Sequence, residues 1–171
     1  MNKVSFLFFG LIIVAGSLIA QPTDYIAYYP FSGNANDESA NALHGNVVGA
    51  SLTADRFGNS NSAYAFDGNG YIDCGASTIF DLEKYPEYTI SVWIKPDNTN
   101  LSVLQAILSR HIATEDRRFY LLFLDNDPAT TLTFEAYHNG AYETTDVVSS
   151  TYNTSWQHVL VIADDGKIKM Y

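Results

Sequence analysis

Residues 88–94 (YTISVWI) set Tyr88, Ile90, Val92 and Ile94 against Thr89, Ser91 and Trp93. Side chains two apart share a face of an extended strand, so this run predicts a strand with one apolar and one mixed face. Pro96-Asp97-Asn98 stops it. The same grammar recurs along the chain. Strands are expected over 24–31, 45–51, 63–66, 71–74, 106–111, 118–124, 131–137, 142–148, 156–163 and from 167 onward. Between them lie turn formers, among them Asp67-Gly68-Asn69-Gly70, His138-Asn139-Gly140 and Asp164-Asp165-Gly166. Asp-Gly and Asn-Gly predict tight hairpins, because glycine takes positive φ without strain. Only residues 77–83 hint at a helical turn. Short strands with a turn every ten residues or so predict an all-β sandwich.

The 171 residues fit one domain with room for a proper core. Ahead of it, Asn2 and Lys3 precede an apolar run from Phe6 to Ala20, followed by polar Gln21-Pro22-Thr23-Asp24. That pattern is expected to be a secretory signal peptide over residues 1–20, with residues 24–171 as the domain. The run is short for a bilayer span, and no membrane association is expected after cleavage. The full chain carries a net charge of −10, and losing Lys3 makes it more acidic still. With no basic cluster, nucleic acid is excluded as a partner. The lone Cys74 has no internal disulfide partner and is expected to be a buried, inert thiol.

One loop stands apart. Asn34, Asn36, Asp37, Glu38, Ser39 and Asn41 crowd side-chain oxygens into a short stretch. Such side chains bond to their own backbone in tight turns, and composition alone favours that reading. The other reading is a Ca²⁺ site, since that ion takes about six to eight oxygen ligands.

Four stretches together resemble the laminin-G-like domains of bacterial secreted proteins, in the concanavalin A-like lectin/glucanase superfamily. They are AYYPFSGNANDESANALHG (27–45), SAYAFDGNGYIDCG (62–75), YTISVWIKPDN (88–98) and SWQHVLVIADDGKIKMY (155–171). The resemblance implies a two-sheet antiparallel jelly-roll sandwich, non-catalytic, that binds glycan or extracellular protein as a secreted or cell-surface module, alone or beside other domains of a longer chain. A structural or adhesive spacer is the alternative. It also implies a structural Ca²⁺ held by Asp37 and Asn41, with Asn36 and Ser39 as lesser ligands. Ala40 stands where the pattern has glycine, which puts that ligand set in doubt. The family's strands beyond the one matching 167–171 are not in this sequence, so the sandwich is expected to be incomplete at its C-terminal side.

Catalysis is not expected. The superfamily's glucanases carry E-x-D-x-E on one strand, where carboxylates two apart can flank a glycosidic bond. No such triplet occurs here. His44, His111, His138 and His158 lack zinc-ligand spacing, and no G-x-S-x-G elbow is present. A sugar would be met by aromatic side chains with a few polar arms. The candidates are Trp93, on the mixed face of 88–94, and Tyr137, Asn139 and Tyr142 around a hairpin tip, although bulk alone favours Trp93 as core.

Overall fold

The computed structural model describes residues 4–7, 25–98, 103–112, 117–125, 131–136, 152–164 and 167–171. They belong to two compact units, which meet in sequence between Ala76 and Ser77. Among the described residues the architecture is all-β, as a jelly-roll sandwich requires, with two 3-10 turns added.

In the first unit, β1 (Val4–Leu7), at the front of the run read as a leader, pairs antiparallel with β4 (Ala63–Phe66). On its other side β4 pairs with β3 (Ser51–Thr53). Separately, β2 (Asn46–Val48) pairs with β5 (Tyr71–Asp73). The single strand expected over 45–51 is therefore two strands that serve different ladders. The hairpin expected at Asp67-Gly68-Asn69-Gly70 is corrected in the same way. Its flanking strands do not pair with each other; each pairs with one of β2 and β3. The chain changes ladder at 49–50 and again at 67–70, and the two corners touch. A Cβ built on Gly70 would lie 2.7 Å from the Gly49 carbonyl carbon and 2.9 Å from the Ala50 nitrogen, both rigid backbone. Gly49 itself has φ +68°. Gly70→Ala should therefore force the corners apart and cost about 1–3 kcal/mol. A thermal melt indistinguishable from that of the parent would show that the corners do not constrain each other.

The first unit's core is Tyr29, Phe31, Ala35, Tyr64 and Phe66, with Ile72 and Cys74 packed against it. Phe31 meets Tyr64 edge-on at 5.1 Å between centroids. Burying each large apolar side chain contributes about 1.5–3 kcal/mol. Residues 25–31 supply two of these rings without forming the expected strand. Their backbone bonds go to the following loop instead. Tyr28 N–H donates to Asp37, Glu38 N–H donates to the Tyr28 carbonyl, and Phe31 takes φ +56°. Hydrophobicity was satisfied here without a ladder.

The second unit opens with 3-10 turns at Thr78–Phe80 and Leu82–Lys84, where the sequence hinted at a helical turn. β6 (Tyr88–Pro96) then pairs antiparallel with β10 (Gln157–Asp164), which pairs with β11 (Lys167–Met170). Val92, Ile94, Val159, Val161, Ala163 and Met170 are buried on one face of this ribbon. β7 (Gln105–Ile112), β8 (Arg117–Asp125) and β9 (Thr131–Ala136) make a meander. Leu121, Leu122, Phe123 and Leu124 are all buried, so β8 is covered on both faces. That is why its sequence is a continuous apolar run without alternation. The strand expected over 142–148 lies outside the described residues.

Candidate functional site

Alternation along β6 puts Thr89, Ser91, Trp93 and Lys95 on the face opposite the core. Register sets Trp93 directly beside His158, Ser91 beside Leu160 and Thr89 beside Ile162. The entry to β10 is fixed by an Asx turn, with Ser155 N–H donating to Asn153 Oδ1 at 2.7 Å, and by Gln157 Nε2 donating to the Asn153 carbonyl. The consequence is a small ordered cluster. The Trp93 and His158 rings stack at 5.0 Å with 16° between planes, and His158 Nε2 shares a 2.8 Å hydrogen bond with Ser91 Oγ. His158 is exposed, whereas Trp93 and Ser91 are half-buried. Trp93 is thus not a core residue, which corrects the expectation from its bulk. Trp156, just before β10, is half-buried as well. A half-exposed indole held rigid by a stacked imidazole, with a hydroxyl beside it, offers one apolar surface and adjacent polar groups. Such a surface can take an apolar C–H face on the ring and hydroxyls on the polar atoms.

The oxygen-rich loop is built differently. Asp37 is only 3 % exposed. Its Oδ1 accepts from Tyr28 N–H at 2.8 Å and Ser39 N–H at 2.9 Å. Its Oδ2 accepts from Ser39 Oγ and Leu43 N–H, both at 2.8 Å. Burial pushes this carboxyl's pKa up, but the backbone donors of Tyr28, Ser39 and Leu43 and the Ser39 hydroxyl outweigh it and hold the group below the ordinary carboxylate range. Asn41 Nδ2 donates to the Ile26 carbonyl, and Asn34 Oδ1 accepts from Asn36 N–H. Among the described residues, no three His, Cys, Asp or Glu side chains come together as metal ligands. Asp37 has its lone pairs turned to loop donors; Ser39 Oγ lies on Asp37 Oδ2 and shares the Ile26 carbonyl with Asn41 Nδ2, while Asn36 is exposed. As they stand, these side chains are bonded to one another and to loop backbone. They fit the turn reading that composition favours.

Two further buried carboxylates escaped sequence reasoning. Asp55 accepts from Phe57 N–H and Asn59 N–H through Oδ1 and from Asn59 Nδ2 through Oδ2. The D-x-x-x-N spacing was the available signal. Asp81, between the 3-10 turns, meets Arg110 of β7 through Oδ1 at 3.0 Å and Lys84 through Oδ2 at 2.9 Å. Burial pushes its pKa up, but bonding to Lys84 and Arg110 more than offsets this and leaves it lowered. No local pattern announces that pair. Cys74 is half-buried, and burial raises its thiol pKa, which suits the inert role expected of it. Tyr137, Asn139 and Tyr142 lie outside the described residues.

Residues 66–171 match a laminin G family model described as the concanavalin A-like lectin/glucanases superfamily. The match takes in β5 to β11 and therefore the Trp93–His158 cluster, and it begins beyond the Asp37 loop. No curated protein and no solved structure matches the chain.

Proposed function

The chain belongs to the laminin G-like family of the concanavalin A-like lectin/glucanase superfamily, commonly a binding module, and from that premise we propose that it is an extracellular, non-catalytic module that recognises glycan. The observation that carries this reading is Trp93, held half-exposed against His158 and beside Ser91 on the face of β6 and β10 turned away from the core. A core indole would need no imidazole stacked on it at the exposed surface. Catalysis has less to support it. The superfamily includes glycosidases, but no described strand carries the alternating carboxylates of the glucanase pattern.

Trp93→Ala is expected to weaken glycan binding at least tenfold, about 1.4 kcal/mol, while leaving a cooperative melt. A glycan array finds the ligand, and titration of the parent and variant chains measures the loss. Ligands that bind parent and variant equally would remove Trp93 from the site. An array with no hits would favour the structural or adhesive spacer reading.

A further inference from the structure

The corner that carries the chain from β4 to β5 contains Asn69-Gly70. Asn69 is exposed, and its backbone N–H donates to Asp67 Oδ1 at 3.0 Å. Among the described residues its side-chain amide has no hydrogen-bond partner. Other asparagines of the first unit are held. Asn59 Nδ2 donates to Asp55, Asn41 Nδ2 donates to the Ile26 carbonyl, and Asn34 Oδ1 accepts from Asn36 N–H. Asn36, Asn46 and Asn61 are exposed as Asn69 is, but Asp37, Val47 and Ser62 follow them, and those side chains crowd the nitrogen. Gly70 has no Cβ to shield its nitrogen from the neighbouring amide. A free amide beside an unshielded backbone nitrogen is reactive.

We propose that Asn69 is a site of spontaneous deamidation, and that its isoaspartyl product releases the contact between the corners at 49–50 and 67–70. The Gly70 nitrogen attacks Asn69 Cγ and a C–N bond forms. The side-chain nitrogen leaves as ammonia, taking the proton of Gly70 N–H. Water then opens the cyclic imide. Opening at Cγ restores the ordinary backbone as aspartate, whereas opening at the backbone carbonyl carbon leaves isoaspartate, with the chain running through the former side chain. Water is the only co-reactant. Asp67-Gly68 is a poorer candidate, because a carboxylate resists attack and its Oδ1 already holds Asn69 N–H.

The isoaspartyl product is the one this fold cannot absorb. It inserts a methylene into the backbone directly before Gly70. Gly70 is half-buried, and its Cα lies 3.3 Å from where a Cβ on Gly49 would stand. On either side, register pairs Val48 with Tyr71 and Ser51 with Ala65. The longer chain must therefore bulge outward or break these pairs, since close-packed backbone does not compress. The first step meets no such barrier, because the exposed Asn69 side chain supplies the movement.

The test ages the full chain in warm, mildly alkaline buffer and maps its peptides by mass spectrometry, with fragmentation that separates isoaspartate from aspartate. Asn69 should convert before Asn34, Asn41 and Asn59, and isoaspartate should appear at residue 69. Asn69→Gln, aged in parallel, carries every change except that one and is the baseline for stability. Against it, the isoaspartyl fraction of the parent should melt lower by roughly 4 °C or more. Asn69→Asp has the new charge without the longer backbone and should melt with the unaged parent. An Asn69 that stays intact in the folded chain, or converts only in urea, overturns the proposal. So does an isoaspartyl fraction that melts with the baseline, because the corners would then tolerate the longer backbone. An equal drop in Asn69→Asp overturns it as well, by assigning the effect to charge.

Discussion

Asp37→Ala should be among the most destabilising single changes in the first unit, at about 3–4 kcal/mol. The carboxylate accepts hydrogen bonds from three backbone N–H groups and one hydroxyl. Hydrogen bonds to a charged group contribute about 1.5–3 kcal/mol each, but they share one anion and the loop can relax, so the total falls well below their sum. These donors join residue 28 to residues 39 and 43, and so fix the loop against the segment that carries Tyr29 and Phe31 into the core. Asp37→Asn would not restore the loop, because the amide NH2 it introduces would face a donor. A drop in melting temperature of roughly 10 °C follows from that free energy. A drop of only a degree or two would mean that the loop holds its shape without the anion.

The pH dependence has a fixed sign. Asp37 has a folded pKa below its unfolded value, so its contribution is fully present above an unfolded pKa of about 3.9. It is lost as pH falls through the lower folded value. The gap between parent and Asp37→Ala should therefore close in acid, while at neutral pH it stays constant. The same hydrogen bonds bear on calcium. A ligand at 100 times its dissociation constant adds about 2.7 kcal/mol. Because the Asp37 oxygens already serve four donors, melts in Ca²⁺ and in chelator should coincide. A rise of roughly 5–10 °C with Ca²⁺ would show instead that the loop rearranges to bind it.

What could be read beforehand follows from how local each determinant is. The two faces of β6 were legible because alternation is a property of neighbours, and Val92 and Ile94 are buried while Thr89 and Lys95 are exposed as it requires. The turn at 77–83 was legible for the same reason, with Ser77 accepting from Ile79 N–H. Residues 25–31 misled because β-formers say only that a segment will be buried and extended. Whether it finds a ladder depends on a carboxylate nine residues away. Asp67-Gly68-Asn69-Gly70 misled because it marks a reversal, whereas the choice of ladder was made by β2 and β3. Trp93 was placed on the right face, but its exposure depended on what covers that face. The neighbour that holds it, His158, is 65 residues further on, and only register brings them together.

Arg110→Ala should have the largest effect in the second unit, about 3–5 kcal/mol, because it leaves the buried Asp81 carboxylate without its buried counterion. Arg110 and Asp81 are each nearly inaccessible, at 9 % and 7 %. Lys84 remains on the other oxygen, but it is half-exposed, and exposed pairs contribute only about 0.2–1 kcal/mol. Lys84→Ala is accordingly the mild control. The pair ties β7 to the 3-10 turns that lead into β6, so its loss loosens the approach to the strand that carries Trp93. A double-mutant cycle distinguishes attraction from desolvation. If the cost of Arg110→Ala comes mainly from stranding an anion, Asp81→Asn in the same chain should recover a large part of it. The recovery should also grow as pH rises from acid. Asp81 has a lowered folded pKa, so the pair contributes fully above the unfolded value and is lost as pH falls through the folded one. Urea unfolding of the four chains at neutral pH supplies the cycle. Additive losses would mean that the two side chains act independently, and would remove the ion pair as the link between the turns and β7.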